Sequence, residues 1–414
     1  MFIQTTATSR REFLFQTVAS TMALASVRAS AAIPSRTIHM AIIGHGGRGW
    51  QMLPVFLNQK DVRFIAACDV QRKNRESAKA VIDRFNGDTA CVAYRDYREL
   101  LARPDLDAVY IALGDRWHAR MAIYAMEAGK DVYCEKPISL SMEEGLAVTA
   151  TAERTGRIYQ GGVQRRTVGN FVEAMHLAQS GRLGKIHTVH AGMATMETSR
   201  SNHFLAPEPL PPIDEVDWNT WLGPAPWRDY NPKYLHSWHG EYDFHGGLAE
   251  WGSHTIDLCQ IATGKMYTAP VRYTPVDAHR LDCEYEDGLK LVLRQDGFKN
   301  SCAIRLEGDE GWVETDDSGA IYVSNPNLMP KHKVKTESWG RPVAHPAEFI
   351  ECVRSRKRPS APPDTLHFSH VASHAATISY RLNRALRFDP KTLRFEDAEA
   401  NRLAIRPSRA PFYL

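Results

Sequence analysis

Two short runs carry the residue types that could do chemistry. The first is Gly129-Lys130-Asp131-Val132-Tyr133-Cys134-Glu135-Lys136-Pro137, where an apolar strand-like stretch, 131–134, ends in an acid and a lysine. Ligands of open α/β sheets bind outside the carboxyl ends of the strands. A lysine there can donate to a substrate hydroxyl and stabilise the charge that develops on its oxygen. Pro137 keeps Lys136 extended. Taken alone, Glu135-Lys136 is also an ordinary surface pair at a turn. The second run is Gly246-Gly247-Leu248-Ala249-Glu250-Trp251-Gly252-Ser253-His254-Thr255-Ile256-Asp257. On a helix, Glu250 and His254 lie one turn apart on one face. A carboxylate beside an imidazole orients it and raises its basicity, as a general base requires. Asp257 could reach the same ring. A capped helix with a core histidine has the same pattern. His236, His239, His245 and His254 are close in sequence, but their spacing is irregular and no H-E-x-x-H occurs, so no metal is expected.

These runs need elements to position them. Near the start, the apolar run Ile38 to Ile43 meets Gly44-His45-Gly46-Gly47-Arg48-Gly49, and Asp69 closes the next apolar run. Gly44, Gly46 and Gly49 fit G-x-G-x-x-G. The first glycine permits the tight turn, the second lets backbone approach a pyrophosphate, and the third lets helix and strand pack closely. An ordinary ligand-free βα turn is the alternative, but strand, helix and acid all stand where a dinucleotide site needs them. From 37 to 163, strand-like runs (38–43, 63–68, 108–113, 131–134, 157–162) alternate with helix-like segments (71–86, 94–103, 117–129, 141–156), which predicts a doubly wound parallel sheet. Ala112 to His118 follows one of these strands and would sit near a cofactor, while Gln160 to Arg166 would carry Gln164 and Arg166 to a domain interface. After residue 165, strand-like runs separated by short turns predict an open, mostly antiparallel sheet with helices on one face. The fold class is therefore α/β plus α+β. A Pro- and Trp-rich stretch, 197–245, includes Trp218, Trp221, Trp227 and Trp238, and is too long for a plain connection.

The 414 residues suffice for two domains with sizeable cores. A net charge of +3 gives no reason to expect nucleic acid or an anionic membrane as partner. Ser9-Arg10-Arg11-Glu12-Phe13-Leu14, an apolar stretch to Val27, and Ala29-Ser30-Ala31 match a twin-arginine export signal with its cleavage site. The expected location is the periplasm or the extracellular space, with no membrane association after signal removal. That route carries folded proteins, so a cofactor would be bound tightly before export. The seven scattered cysteines read as buried small hydrophobes.

Together these residues resemble the glucose-fructose oxidoreductase / inositol dehydrogenase family (Gfo/Idh/MocA). The resemblance covers most of the mature chain: the glycine turn, Glu135-Lys136-Pro137, Gln164 and the run 246–257. Asp217-Trp218, Trp221 to Trp227, Gly311-Trp312-Val313-Glu314, Ala400 to Leu403 and Arg406-Pro407 are similar to members common in planctomycetes. The resemblance implies a Rossmann domain (37–163), a substrate and oligomerisation domain (164–388) and a C-terminal extension (389–414), behind a signal at 1–31. It implies a homodimer or homotetramer acting on a sugar or glycoside. Lys136 would hold the substrate hydroxyl and His254 accept its proton, with Glu250 beside it where the family usually has aspartate. Gly44, Gly46, Gly47, Arg48, Gly49, Asp69, His118, Glu135, Lys136 and Gln164 would meet the cofactor. Arg166, Trp238, His245 and Asp257 would meet the substrate. Asp69 favours NAD by repelling a 2′-phosphate, while Arg72 and Arg75 keep NADP open. Leu113-Gly114 replaces the family's usual Thr-Pro. The implied activity is sugar or glycoside oxidation, for instance at C3 of a pyranoside. The alternative is a redox-neutral glycosidase working by oxidation, elimination and re-reduction.

Overall fold

The computed structural model describes residues 37–196, 202–338, 340–406 and 408–413; the segment expected to be an export signal lies outside them. Six parallel strands form the first sheet in the order β3-β2-β1-β4-β5-β6, and the switch in direction between β1 and β4 opens a crevice at their carboxyl ends. The strands are β1 (Ile38–Ile43), β2 (Val62–Cys68), β3 (Val92–Tyr94), β4 (Ala108–Ile111), β5 (Asp131–Cys134) and β6 (Tyr159–Gly161). β1, β4 and β5 are buried almost throughout, as strands covered on both faces must be. The crossover helices are α1 (Gly47–Leu57), α2 (Arg72–Asn86), α3 (Tyr97–Leu101), α4 (Asp115–Glu127) and α5 (Met142–Thr155). Ser141 caps α5 by accepting the Glu144 N–H at 3.2 Å, while Glu144 returns a carboxylate to the Leu140 N–H at 2.7 Å. Sequence periodicity missed β3, a three-residue edge strand with no fully buried residue.

The second sheet has nine strands in the order β13-β12-β11-β7-β10-β9-β8-β14-β15, antiparallel except for the central β7–β10 pair. They are β7 (Ile186–Gly192), β8 (Arg272–Pro275), β9 (Arg280–Glu284), β10 (Lys290–Arg294), β11 (Ile304–Gly308), β12 (Gly311–Thr315), β13 (Ile321–Val323), β14 (Leu386–Asp389) and β15 (Arg394–Phe395). Helices α6 (Gly169–Gln179), α7 (Ala249–Thr263), α8 (Ala344–Ser355) and α9 (Pro363–Leu382) complete this half. α6, α7 and α9 pack on the sheet around a core that includes Phe171, Ile256, Tyr273 and Leu306. α9 stops at Leu382, because Asn383 turns left-handed (φ +48°) and releases Leu386 into the sheet.

α7 enters between β7 and α9, so its first turn faces the carboxyl end of β5. The aromatic stretch forms its own small core of Trp218, Trp221, Leu222, Tyr234 and Phe244. It docks on the first sheet: Gln71 bridges Val216, Asp217 N–H donates to Val70 O at 3.1 Å, and Arg72 pairs with Asp214 and Glu215. All seven cysteines are buried and unpaired.

Candidate active site

At the crevice, Gly44 has φ +91°, and a Cβ there would lie 2.5 Å from the Ala112 carbonyl oxygen. A Cβ on Gly49 would strike the Gly44 carbonyl. Gly46 and Gly47 have no atom within 4 Å of where a Cβ would be, so the turn is tight on its protein side and open towards the cleft. Asp69 is buried. It accepts the His45 and Gln71 N–H groups, both at 2.9 Å, and the Asn74 amide at 3.2 Å. Burial raises its carboxyl above the usual range and these hydrogen bonds oppose that rise. Arg75, like Arg72, is held by Asp214, whose carbonyl accepts its guanidinium at 2.8 Å. Neither arginine lines the cleft; Lys73 and Arg95 do. The cleft is a cavity of about 730 Å³ running from the glycine turn and Asp69 to Trp221 and Trp238.

A smaller cavity of about 240 Å³ adjoins it, sharing Arg48, Ala112, Leu113, Trp238 and His239 with the larger one. Glu135, Lys136, Gln164, Glu250 and His254 face this space. Buried Glu135 gathers Tyr110 Oη at 3.1 Å, Gln164 Nε2 at 3.1 Å and Arg48 Nε at 3.3 Å. Arg48 also reaches Gly340 O at 3.1 Å, tying the dinucleotide turn to the loop before α8. Lys136, followed by a cis bond to Pro137, extends its Nζ to Glu250 Oε1 at 2.5 Å and to Glu250 O at 3.1 Å.

This geometry corrects the expected Glu250–His254 pair. Glu250 spends one oxygen on Lys136 and holds the other 3.5 Å from His245 Nε2. Burial alone would raise its carboxyl, but Lys136 and His245 outweigh burial and hold it well below the usual carboxylate range. His254 is buried, and its Nδ1 has no hydrogen-bond partner among the described residues. Burial, reinforced by Arg165, Lys136 and Arg48, pushes its ring well below the usual imidazole range, so it is neutral. Asp257 does not reach it either. Its carboxylate takes both arms of Arg166, at 2.6 and 2.7 Å. Arg166, Asp257 and His245, all in the expected substrate set, line neither cavity; Arg166 and Asp257 fasten the Gln164–Thr167 turn to α7, and His245 lies behind Glu250. The nitrogens of His118 lie 2.7 Å from Pro137 O and 3.0 Å from Leu113 O, so its ring spans the two catalytic-edge turns. It therefore positions Lys136, although its edge still lines the smaller cavity.

Two residues beyond the expected set belong here. Asp115, at the N-terminus of α4, is 3% exposed and lines the smaller cavity. His239 lines both cavities and stacks on Trp238, with ring centroids 3.7 Å apart. The only sequence signal for Asp115 was its place just past a strand end.

The chain belongs to the Gfo/Idh/MocA oxidoreductase family. The family description "Oxidoreductase family, NAD-binding Rossmann fold" matches residues 38–163, and "Oxidoreductase family, C-terminal alpha/beta domain" matches 177–414. Among curated relatives, an uncharacterized oxidoreductase of Rhizobium meliloti is 32% identical over 139 residues, 34% of this chain and 40% of that protein. A glycosyl hydrolase family 109 protein of a Shewanella species is 37% identical over 121 residues, 28% of this chain and 26% of that protein. The aligned stretches thus span well under half of these relatives. Among solved structures, myo-inositol 2-dehydrogenase from Lactobacillus plantarum superposes with a TM-score of 0.60 at 20% identity, covering 86% of this chain and all of that one. Aldose-aldose oxidoreductase from Caulobacter crescentus gives 0.58 at 19% identity, covering 85% and 100%.

Proposed function

We propose that this protein is an exported NAD-dependent oxidoreductase that oxidises a secondary hydroxyl of a sugar or glycoside, such as C3 of a pyranoside. The reading is carried by Lys136 and His254, which line one small cavity opening into the dinucleotide cleft. The donors fit a dinucleotide: the glycine turn is open where a pyrophosphate needs close backbone approach, and Asp69 stands at the end of β2 for the adenosine ribose. NAD is preferred, because Asp214 withholds Arg72 and Arg75. Lys73 and Arg95 are the groups a 2′-phosphate would meet. A bound nicotinamide supplies the hydride acceptor.

The chain's own residues do the rest. Lys136 donates to the substrate oxygen and stabilises its growing negative charge. Glu250 aims that ammonium. His254, neutral and facing the same cavity, is the group placed to take the hydroxyl proton, without a carboxylate to raise its basicity. Trp238 at the mouth offers an aromatic face to a sugar's C–H surface. The twin-arginine segment supports export with the cofactor already in place, and the family resemblance supports a homodimer or homotetramer.

A redox-neutral glycosidase is the second reading, favoured by relatives named glycosyl hydrolase family 109 proteins. Incubating the NAD-loaded protein with a panel of aldoses and aryl glycosides tests both. Net oxidation raises the absorbance of reduced nicotinamide. The glycosidase releases aglycone with no net reduction. Absence of both signals across the panel overturns the proposal.

A further inference from the structure

The smaller cavity holds more negative charge than the proposed chemistry uses. Asp115, His245 and Glu250 each offer a ligand atom, and these atoms all lie within 4.8 Å of one another. They come from three places: the start of α4, the loop before α7, and the first turn of α7. Two carboxylates this close, sheltered from water, repel each other strongly. One ammonium, Lys136, compensates one of them. The Arg116 guanidinium, next in sequence to Asp115, is turned away onto the Trp221 carbonyl at 2.7 Å.

We infer that Asp115, His245 and Glu250 form a binding site for a first-row divalent cation, Mn²⁺ or Zn²⁺. Asp115 is buried and spends only Oδ2 on protein, accepting the Gly246 N–H at 3.0 Å. Its Oδ1 takes no hydrogen bond among the described residues, and the side chain lines the cavity. Glu250 bridges, with Oε1 on Lys136 and Oε2 on the metal side facing His245. Two carboxylate oxygens and one imidazole nitrogen suit Mn²⁺ or Zn²⁺ better than Ca²⁺, which takes six to eight oxygens. The Gly247 N–H donates to His245 Nδ1 at 3.1 Å, which leaves the ring proton on Nε2. Coordination through Nε2 moves that proton to Nδ1 and gives up the hydrogen bond from Gly247. His239 stands with its ring 5.9 Å from that of His245, and no hydrogen bond to its nitrogens occurs among the described residues. The remaining coordination positions face the cavity, where they accept water or a sugar oxygen. That last role rests on the proposed sugar oxidation; metal binding itself does not.

The full-length protein, stripped with chelator and dialysed, is titrated with MnCl₂ and, separately, ZnCl₂. Binding is followed by calorimetry, by metal analysis after desalting, and, for Mn²⁺, by electron spin-echo modulation from a coordinated imidazole nitrogen. The expected result is one equivalent bound with the nitrogen signal present. Asp115→Asn keeps an acceptor for the Gly246 N–H, and with His245→Gln it should weaken binding at least about 100-fold. Circular dichroism and NAD affinity report whether each variant is folded. No binding at millimolar metal, or binding that both folded variants retain, overturns the site. NAD binding and sugar oxidation by metal-free protein would leave the oxidoreductase reading intact while the metal site fails.

Discussion

Replacing Lys136 by methionine removes the Nζ that the structure places against Glu250 at the edge of the smaller cavity. Methionine fills similar volume, so packing around the stem is preserved. Two separable losses follow. The first is in the transition state: one charge-assisted donor to a developing oxyanion is worth about 3–4 kcal/mol, or about 10²–10³ in kcat. The second is in the folded state. Among the described residues Glu250 keeps only His245 as a side-chain partner, and a buried acceptor stripped of its donor costs about 1–3 kcal/mol. Adding Glu250→Met removes both ends of the pair and recovers most of that stability, because apolar replacement of both partners is close to neutral. It does not recover kcat. The assays are initial rates from reduced-nicotinamide absorbance, NAD affinity by calorimetry and thermal denaturation. NAD affinity should stay within about threefold of wild type. Unchanged kcat in Lys136→Met, or recovery of kcat in the double variant, would refute the lysine's role at the substrate oxygen.

The glycines separate fold from ligand. Gly46→Ala meets no protein atom, so thermal stability should hold while NAD affinity falls about tenfold. Gly49→Ala drives a Cβ into the Gly44 carbonyl and should cost about 1–3 kcal/mol of stability. Asp214→Ala removes the carboxylate shared by Arg72 and Arg75, leaves Arg72 only Glu215, and loosens the aromatic segment on α2. Because the pair is half-exposed, the effect is about 1 kcal/mol: NAD is retained about fivefold less well on dialysis, and NADP binds correspondingly better. Acid stability follows the buried histidines. Burial lowers His345 and His370 to about 3 and His367 to about 4, so the fold keeps them neutral. The unfolded chain takes up their protons below about pH 6.5. Their contribution is therefore complete above that pH. It falls as the pH drops towards 4, at about 1.4 kcal/mol per unit for each histidine, as denaturant midpoints across that range would show.

The parts of this fold that were legible in sequence are those where local pattern and burial agree. β1, β4 and β5 are covered on both faces, so they read as unbroken apolar runs, and the helix-like segment 141–156 matches α5. β3 is too short and too exposed to carry such a signal. The site was legible as a set of residues but not as a set of partners. Helical spacing places Glu250 and His254 on one face, yet it says nothing of Lys136 arriving from β5 or His245 from the preceding loop, and these take both Glu250 oxygens. Asp257 was assigned to the same ring by the same periodicity. Arg166, 91 residues away, holds it instead. Asp115 joins this group only because α4 and α7 meet at the carboxyl edge of the first sheet, a long-range contact that no local spacing encodes.

The most direct test is isotopic. A glycoside deuterated at the carbon to be oxidised is turned over by the NAD-loaded protein, and the label is located by mass spectrometry. Deuterium on the reduced nicotinamide, or returned to the same sugar carbon in a redox-neutral cycle, is the predicted outcome. Product formed with the label never leaving its carbon, at wild-type rate and without an isotope effect, would contradict oxidation at that carbon.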